Sequence, residues 1–140
     1  IGYPDKDTER KILETRPSQT RLEALTPVMG TDELLAAQDR VSEVQVPEPI
    51  ADYILAIAEA TRRNDELSIG LSPRGSLALM RAAQAAAMLE GRSYVVPDDV
   101  RDLAVSACAH RLMSRSLTQD GSAGTEALFE KILETVPVPQ

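Results

Sequence analysis

Residues 70–77 read GLSPRGSL and place an arginine at the start of an alanine-rich helix. Ser72 is a typical N-cap residue and Pro73 is favoured at the first helical position, so Arg74 falls in the first turn. A cation is unfavourable there by about 0.3–1 kcal/mol, because the helix dipole is already positive at that end. A guanidinium beside free helix-start amides is, however, well suited to binding an anion such as phosphate.

Simpler interpretations of this segment have to be weighed against an anion site. The simpler interpretation makes Arg74 a surface residue in an ordinary ion pair, but it does not explain a cation at a helix start on the one polar stripe of an otherwise apolar helix. Arg81, two turns along the same polar stripe, is also explained as a structural ion-pair partner. The spacing of Gly70 and Gly75 is that of a phosphate-binding loop. Ser76 then stands where such a loop needs lysine, and Pro73 removes a backbone donor, so we exclude a loop of that kind.

The other reactive side chains are isolated along the sequence. His110 is the single histidine and Cys108 the single cysteine, so no ligand set at metal spacing and no nucleophile–histidine pair can be argued. We expect His110 to be a packed, hydrogen-bonded structural residue and Cys108 to be a small core residue. The acidic residues cluster at predicted helix starts, where the helix dipole explains them.

Hydrophobic periodicity predicts the elements that must position Arg74. Helical spacing is found over 5–16, from Thr31 as N-cap to Val44, over 50–61, from Ser72 to Gly91, from residue 97 to about 114, and over 125–136. Residues 117–124 are expected to be a loop. The stretches 44–46, 67–69 and 94–96 are expected to pair only briefly. The predicted fold class is therefore all-α, a helical bundle of five to six helices.

Composition limits the classes of function. The 140 residues carry a net charge of −7, which argues against a nucleic-acid surface and against a DNA-binding helix-turn-helix. There is no apolar run of membrane-spanning length and no signal peptide, so no membrane contact and a cytoplasmic location are expected. The chain starts with IGYPD rather than with methionine, which leads us to expect a segment of a longer protein.

Residues 70–112, GLSPRGSLALMRAAQAAAMLEGRSYVVPDDVRDLAVSACAHRL, resemble the C-terminal helical lid of MoxR-family AAA+ ATPases. The opening IGYPDKDTERKIL is similar to the junction between the nucleotide-binding core and the lid, and LFEKILETVPVP is similar to the last helix and tail. The resemblance implies a junction over 1–6, a lid over 7–136 and an extended tail over 137–140. Residue 96 departs from the family pattern, since Val96 replaces a hydroxyl-bearing cap.

The resemblance also implies roles for particular residues. Arg74 corresponds to sensor 2, which reaches the γ-phosphate of ATP bound in the core, while Ser72 and Pro73 fix the direction of its side chain. The family uses the junction as one wall of the adenine pocket, which implies contacts from Ile1, Gly2 and Tyr3. The parent would bind ATP and Mg²⁺, assemble into a ring and remodel client proteins, with von Willebrand factor A domains among its partners. This segment alone has no Walker A or Walker B motif and is not expected to hydrolyse ATP or to hold nucleotide or metal tightly.

Two alternatives remain open from the sequence. One is a stand-alone helical protein-interaction module that binds no nucleotide, in which Arg74 forms an ion pair. The other is the lid of a magnesium-chelatase-like AAA+ subunit. The client protein, the ring size and the roles of Arg81 and His110 do not follow from the sequence.

Overall fold

The computed structural model describes residues 2–15, 25–115 and 121–139, and within these ranges the chain is a helical bundle. The helices are α1 (Lys6–Thr15), α2 (Thr31–Glu43), α3 (Glu48–Arg63), α4 (Pro73–Leu89), α5 (Pro97–Cys108) and α6 (Gly121–Thr135). A 3₁₀ turn, Ala109–Arg111, follows α5, and the strands are β1 (Leu67–Ile69) and β2 (Met113–Ser114). The predicted all-α class is confirmed.

The chain divides into two compact units, Ile1–Leu34 and Leu35–Gln140. In the first unit, the Asp5 carboxylate caps α1 by accepting hydrogen bonds from the Asp7 and Thr8 amides and from the Thr8 hydroxyl. The bonds from Thr8 hold the pKa of Asp5 below its ordinary value. Helix α2 begins at Thr31 itself, so Thr31 is not the flanking cap that was predicted. The amide of Gly30 donates instead to the Glu33 carboxylate at 2.7 Å.

The core of the second unit is built around α3. The face predicted from helical spacing is confirmed, since all of its residues are buried: Ile50, Tyr53, Ile54, Ile57 and Thr61. Ala58 is buried as well. Helix α6 covers this face with Phe129, which is fully buried, and with Ile132 and Leu133. Helix α2 adds little to this core, because Leu35 remains 54% exposed and only Val44, just beyond the helix end, is buried.

Helices α4 and α5 pack chiefly on each other and are joined by a tight turn. Gly91 adopts φ +76°, and its amide and that of Arg92 bond back to the carbonyls of Met88 and Ala87. A left-handed residue directly after a helix is most easily supplied by glycine, so the predicted stop of α4 at Gly91 is confirmed. Because one face of α4 lies on α5, the helix is not buried all round, and Leu77 on its other face is 53% exposed.

Short β pairings close the connections between helices. Strand β1 pairs antiparallel with β2, Leu67 opposite Ser114 and Ile69 opposite Met113, while Gln45 and Tyr94 form an isolated parallel bridge. The three short stretches expected from the sequence therefore do pair. The partner of β1 was not predicted, because helix α5 ends at Cys108 and leaves Met113–Ser114 extended, whereas the sequence indicated a helix to about residue 114.

Helix α6 begins earlier than the sequence indicated. It starts at Gly121, so residues 121–124 are helical rather than part of the predicted loop, and residues 117–120 of that loop lie outside the described ranges. No described helix has both the length and the apolar character that crossing a membrane requires.

One buried amide connects α4 to the end of α2. The Gln84 side chain, 8% exposed, donates from Nε2 to the Val44 carbonyl at 2.7 Å. We expect Gln84→Met to lower the free energy of unfolding by about 1–2 kcal/mol, because it keeps the volume but leaves that carbonyl unpaired. Urea unfolding of the 140-residue chain measures this, with exposed Gln38→Met as the matched control. Equal urea midpoints for Gln84→Met and Gln38→Met would contradict this prediction.

Candidate functional site

The first turn of α4 has the cap that the sequence predicted. The Ser72 hydroxyl accepts a hydrogen bond from the Gly75 amide at 3.2 Å, and Pro73 occupies the first helical position. The Ser76 amide bonds to the Ser72 carbonyl at 3.0 Å, which closes the first turn. The helix therefore starts at a defined residue, and Arg74 leaves it from the second position.

Arg74 is exposed and has no partner among the residues that the structure describes. No acidic side chain lies in the first turn of α4, and no described carboxylate forms an ion pair with its guanidinium. Its charge therefore adds to the positive end of the helix dipole without local compensation. The ion pair required by the simpler interpretation is not found in ranges 2–15, 25–115 and 121–139.

Leu71, the residue before the cap, is hydrogen-bonded to the end of α3 through both its amide and its carbonyl. The Leu71 amide donates to the Thr61 hydroxyl at 2.9 Å, and the Leu71 carbonyl accepts from Arg62 Nε at 2.8 Å. The Thr61 hydroxyl in turn donates to the Ala58 carbonyl at 2.7 Å, and Thr61 is fully buried. We call these bonds to Leu71 the Leu71 clamp.

Two glycines allow this close packing. A Cβ on Gly70 would lie 2.7 Å from Arg62 Cα, so the chain passes directly over the backbone of α3 only because residue 70 has no side chain. A Cβ on Gly75 would collide with the Leu71 side chain. The structure thus assigns these glycines to helix packing, which agrees with excluding a phosphate-binding loop at this segment.

A second cation lies against the first turn of α4. The side chain of Arg111 passes over Gly75, with its Cδ 3.6 Å from the position a Cβ would take there, and its Nε donates to the Ala107 carbonyl at 3.1 Å. No described carboxylate forms an ion pair with Arg111 or with Arg62. Two further arginines, Arg62 and Arg111, therefore have side-chain atoms beside the segment that starts α4.

Sequence reasoning found the cap and Arg74 but missed Thr61, Arg62 and Arg111. Thr61 appeared only as one position on an apolar face, and a threonine among buried isoleucines was the available signal that a hydroxyl is used there. The two other polar residues considered on α4 lie in different environments. Arg81 is exposed and forms no ion pair within the described part of the chain, whereas Gln84 is buried in a structural bond.

The residues assigned to the adenine wall belong to the other unit. Gly2 and Tyr3 are fully exposed residues of Ile1–Leu34, and Ile1 lies outside the described residues. The structure therefore groups Ser72, Pro73 and Arg74 in one site, while the contribution of the junction stays a prediction.

The prediction for Cys108 is confirmed, whereas the prediction for His110 is wrong. Cys108 is fully buried, as predicted, and burial raises the pKa of its thiol to about 11, so it is an unreactive core residue at neutral pH. His110 is exposed in the 3₁₀ turn, so the prediction of a packed histidine is wrong. The turn that follows α5 directs this residue outward, which helical spacing alone did not indicate.

The family model for AAA lid domains matches residues 59–132, a range that contains the Leu71 clamp, α4 and α5. The uncharacterized protein YeaC of Bacillus subtilis is 36% identical over 99% of this chain and 43% of its own length. The chaperone MoxR1 of Mycobacterium tuberculosis is 31% identical over 100% of this chain and 39% of its length. The magnesium-chelatase 38 kDa subunit of Rhodobacter capsulatus is 30% identical over 95% of this chain and 33% of its length.

A crystal structure from Cytophaga hutchinsonii, of a protein provisionally classed as an ATPase, has the same fold. The TM-score is 0.77 at 22% sequence identity, and the match covers 100% of this chain and 45% of that one. The chain thus spans less than half the length of each of these relatives.

Proposed function

This chain belongs to the AAA lid domain family. On that premise we propose that it is the C-terminal lid of a MoxR-type AAA+ ATPase, and that Arg74 contacts the γ-phosphate of ATP held in the nucleotide-binding core. The observation that supports this most directly is the uncompensated charge at the start of α4. An exposed guanidinium with no described acidic partner is placed where a helix already favours anions.

The residues around Arg74 fit the terminal phosphate of a nucleotide. A γ-phosphate presents several anionic oxygens, and a planar guanidinium can bond two of them at once. Arg62 and Arg111 raise the local positive potential, and no described first-turn carboxylate competes for the guanidinium. Mg²⁺, when bound with ATP, would neutralise phosphate charge. Its ligands would come from the core, because the described residues form no cluster of three or more metal-ligating side chains.

In this proposal the lid reports the state of the nucleotide. Arg74 bonds the γ-phosphate before hydrolysis and loses that partner afterwards, so the lid has different contacts in the two states. A domain can be reoriented only by such a difference in contacts. In this proposal the segment supplies the contact to the nucleotide, and turnover is an activity of the full ATPase.

The wider activity of the full protein is also part of the proposal. We infer a cytoplasmic ATPase that assembles into a ring and remodels partner proteins, with von Willebrand factor A domains as one class of client. The similarity to a protein named as a chaperone supports the remodelling activity. The similarity to a magnesium-chelatase subunit over 95% of this chain keeps a chelatase-type parent as the second candidate. Family membership favours both over a stand-alone module without nucleotide.

Nucleotide affinity tests the proposed contact. We expect Arg74→Ala in the full ATPase to weaken binding of a slowly hydrolysed ATP analogue by about tenfold or more, since one charge-assisted contact contributes about 1.5–3 kcal/mol. ADP affinity should be unchanged, because ADP lacks the γ-phosphate. Arg81→Ala is the matched control, being an exposed arginine on the same helix. An equal loss of affinity for both nucleotides would contradict a γ-phosphate contact.

A further inference from the structure

The Leu71 clamp holds the residue that lies three positions before Arg74. Leu71 directly precedes the cap residue Ser72, and both its N–H and its C=O are bonded to the end of α3. With both polar groups of one residue held, the chain entering α4 has little freedom to rotate. The first turn of α4, from which Arg74 leaves the helix, is therefore tied to the end of α3.

Thr61 is the buried member of this clamp. Its hydroxyl donates to the Ala58 carbonyl within α3 and accepts from the Leu71 amide outside it, so one atom joins the two segments. It is 0% exposed, and beside it the chain at Gly70 passes directly over the backbone of α3. The bond therefore cannot be exchanged easily for one to water, unlike the bond made by exposed Arg62.

We propose that Thr61 is a positioning residue for Arg74: its hydroxyl couples the end of α3 to the start of α4 and so determines how well the guanidinium meets the γ-phosphate. This inference rests on the proposed role of Arg74. It predicts that the effect of Thr61 on ATP turnover is exerted through Arg74 and disappears when Arg74 is absent.

A double-mutant cycle in the full ATPase tests this. Thr61→Val keeps the shape of the side chain and removes the hydroxyl. We expect it to lower kcat about tenfold with Arg74 present, since a displacement of about 1 Å at a reacting group can cost up to 10²-fold. In the Arg74→Ala background the same change should alter kcat less than about twofold, because residues that act through one another are not additive. Similar losses in both backgrounds would overturn the proposal.

Controls separate positioning from a general loss of stability. Thr61→Ser retains a hydroxyl and should restore most of kcat. Thr135→Val removes a hydroxyl that makes the same bond within its own helix, to the Ile132 carbonyl at 2.7 Å, and should leave kcat unchanged. If Thr61→Val does not fold, Thr61→Cys puts a weaker hydrogen-bonding group of similar size at the same place and should give a smaller loss of kcat with the same dependence on Arg74. Failure of Thr61→Ser to restore kcat would contradict the hydroxyl as the cause.

The cycle also distinguishes two kinds of failure. If Arg74→Ala itself leaves ATP turnover unchanged, the proposed γ-phosphate contact is wrong and Thr61 has nothing to position. If Arg74→Ala lowers turnover but Thr61→Val lowers it equally in both backgrounds, the contact stands and only the positioning role of Thr61 is wrong.

Discussion

Replacing Arg74 by alanine is expected to lower ATP turnover of the full ATPase tenfold or more. Arg74 has no described ion-pair partner in the lid, so its loss should not disturb the fold and should act only through the nucleotide. Removing one donor aimed at charge in a transition state commonly costs about 2–4 kcal/mol. The measurement is steady-state release of phosphate at saturating ATP.

Two further variants make this result specific to the guanidinium. Arg74→Lys keeps the charge but loses the planar pair of donors, so we expect turnover between those of the wild type and of Arg74→Ala. Arg81→Ala, on the same helix, should leave turnover unchanged. Wild-type turnover in Arg74→Ala would show that the arginine does not contact the reacting phosphate.

Replacing Asp99 by alanine is expected to destabilise the 140-residue chain by about 1–3 kcal/mol, because it removes a buried acceptor of charge-assisted hydrogen bonds and leaves Arg92 with Glu90 as its described acidic partner. Asp99 is 7% exposed and accepts two hydrogen bonds from Arg92, at 2.6 and 2.7 Å, and one from the Val96 amide at 2.9 Å. The bond from the Val96 amide ties Asp99 to the residue before α5, which provides no hydroxyl cap. Urea unfolding at neutral pH measures the loss, with exposed Asp98→Ala as the control.

The same carboxylate makes stability depend on pH in a defined direction. The hydrogen bonds from Arg92 hold the pKa of Asp99 below 3.8, the ordinary value that it regains when the chain unfolds. The ionised Asp99 carboxylate therefore makes its full contribution to the free energy of unfolding above about pH 4. That contribution is lost as the pH falls through the lower pKa of the folded state. The difference in unfolding free energy between wild type and Asp99→Ala should shrink over that range. A difference that stays constant down to pH 2 would contradict this assignment.

Local signals in the sequence were sufficient for the elements that hold Arg74. The Ser72 cap, the proline after it and the stop at Gly91 each act through bonds within a few residues, so residue type alone indicates them. The buried face of α3 followed from spacing for the same reason. This is why the position of Arg74 at the second residue of α4 was predictable.

The contacts that orient the site were not predictable in this way. The Leu71 clamp joins residues nine and ten positions apart that belong to different elements, and Arg111 reaches Gly75 from the turn after α5. Asp99 was attributed to the helix dipole because its pairing with Arg92 depends on the turn between α4 and α5. Residue type indicates which groups need partners, but only the packing of helices determines which partners they find.

Helix α4 has Arg74 at its first turn and the Gly91 turn directly after its last residue. Its 17 residues make it about 25 Å long, so a tilt of about 10° at the Arg74 end displaces the opposite end by roughly 4 Å. Because α4 is packed along α5, the pair would move as one lever arm. A small movement at the phosphate, enough to make or break one hydrogen bond, would thus produce a larger displacement at the Arg92–Asp99 end. A neighbouring surface could respond to that displacement.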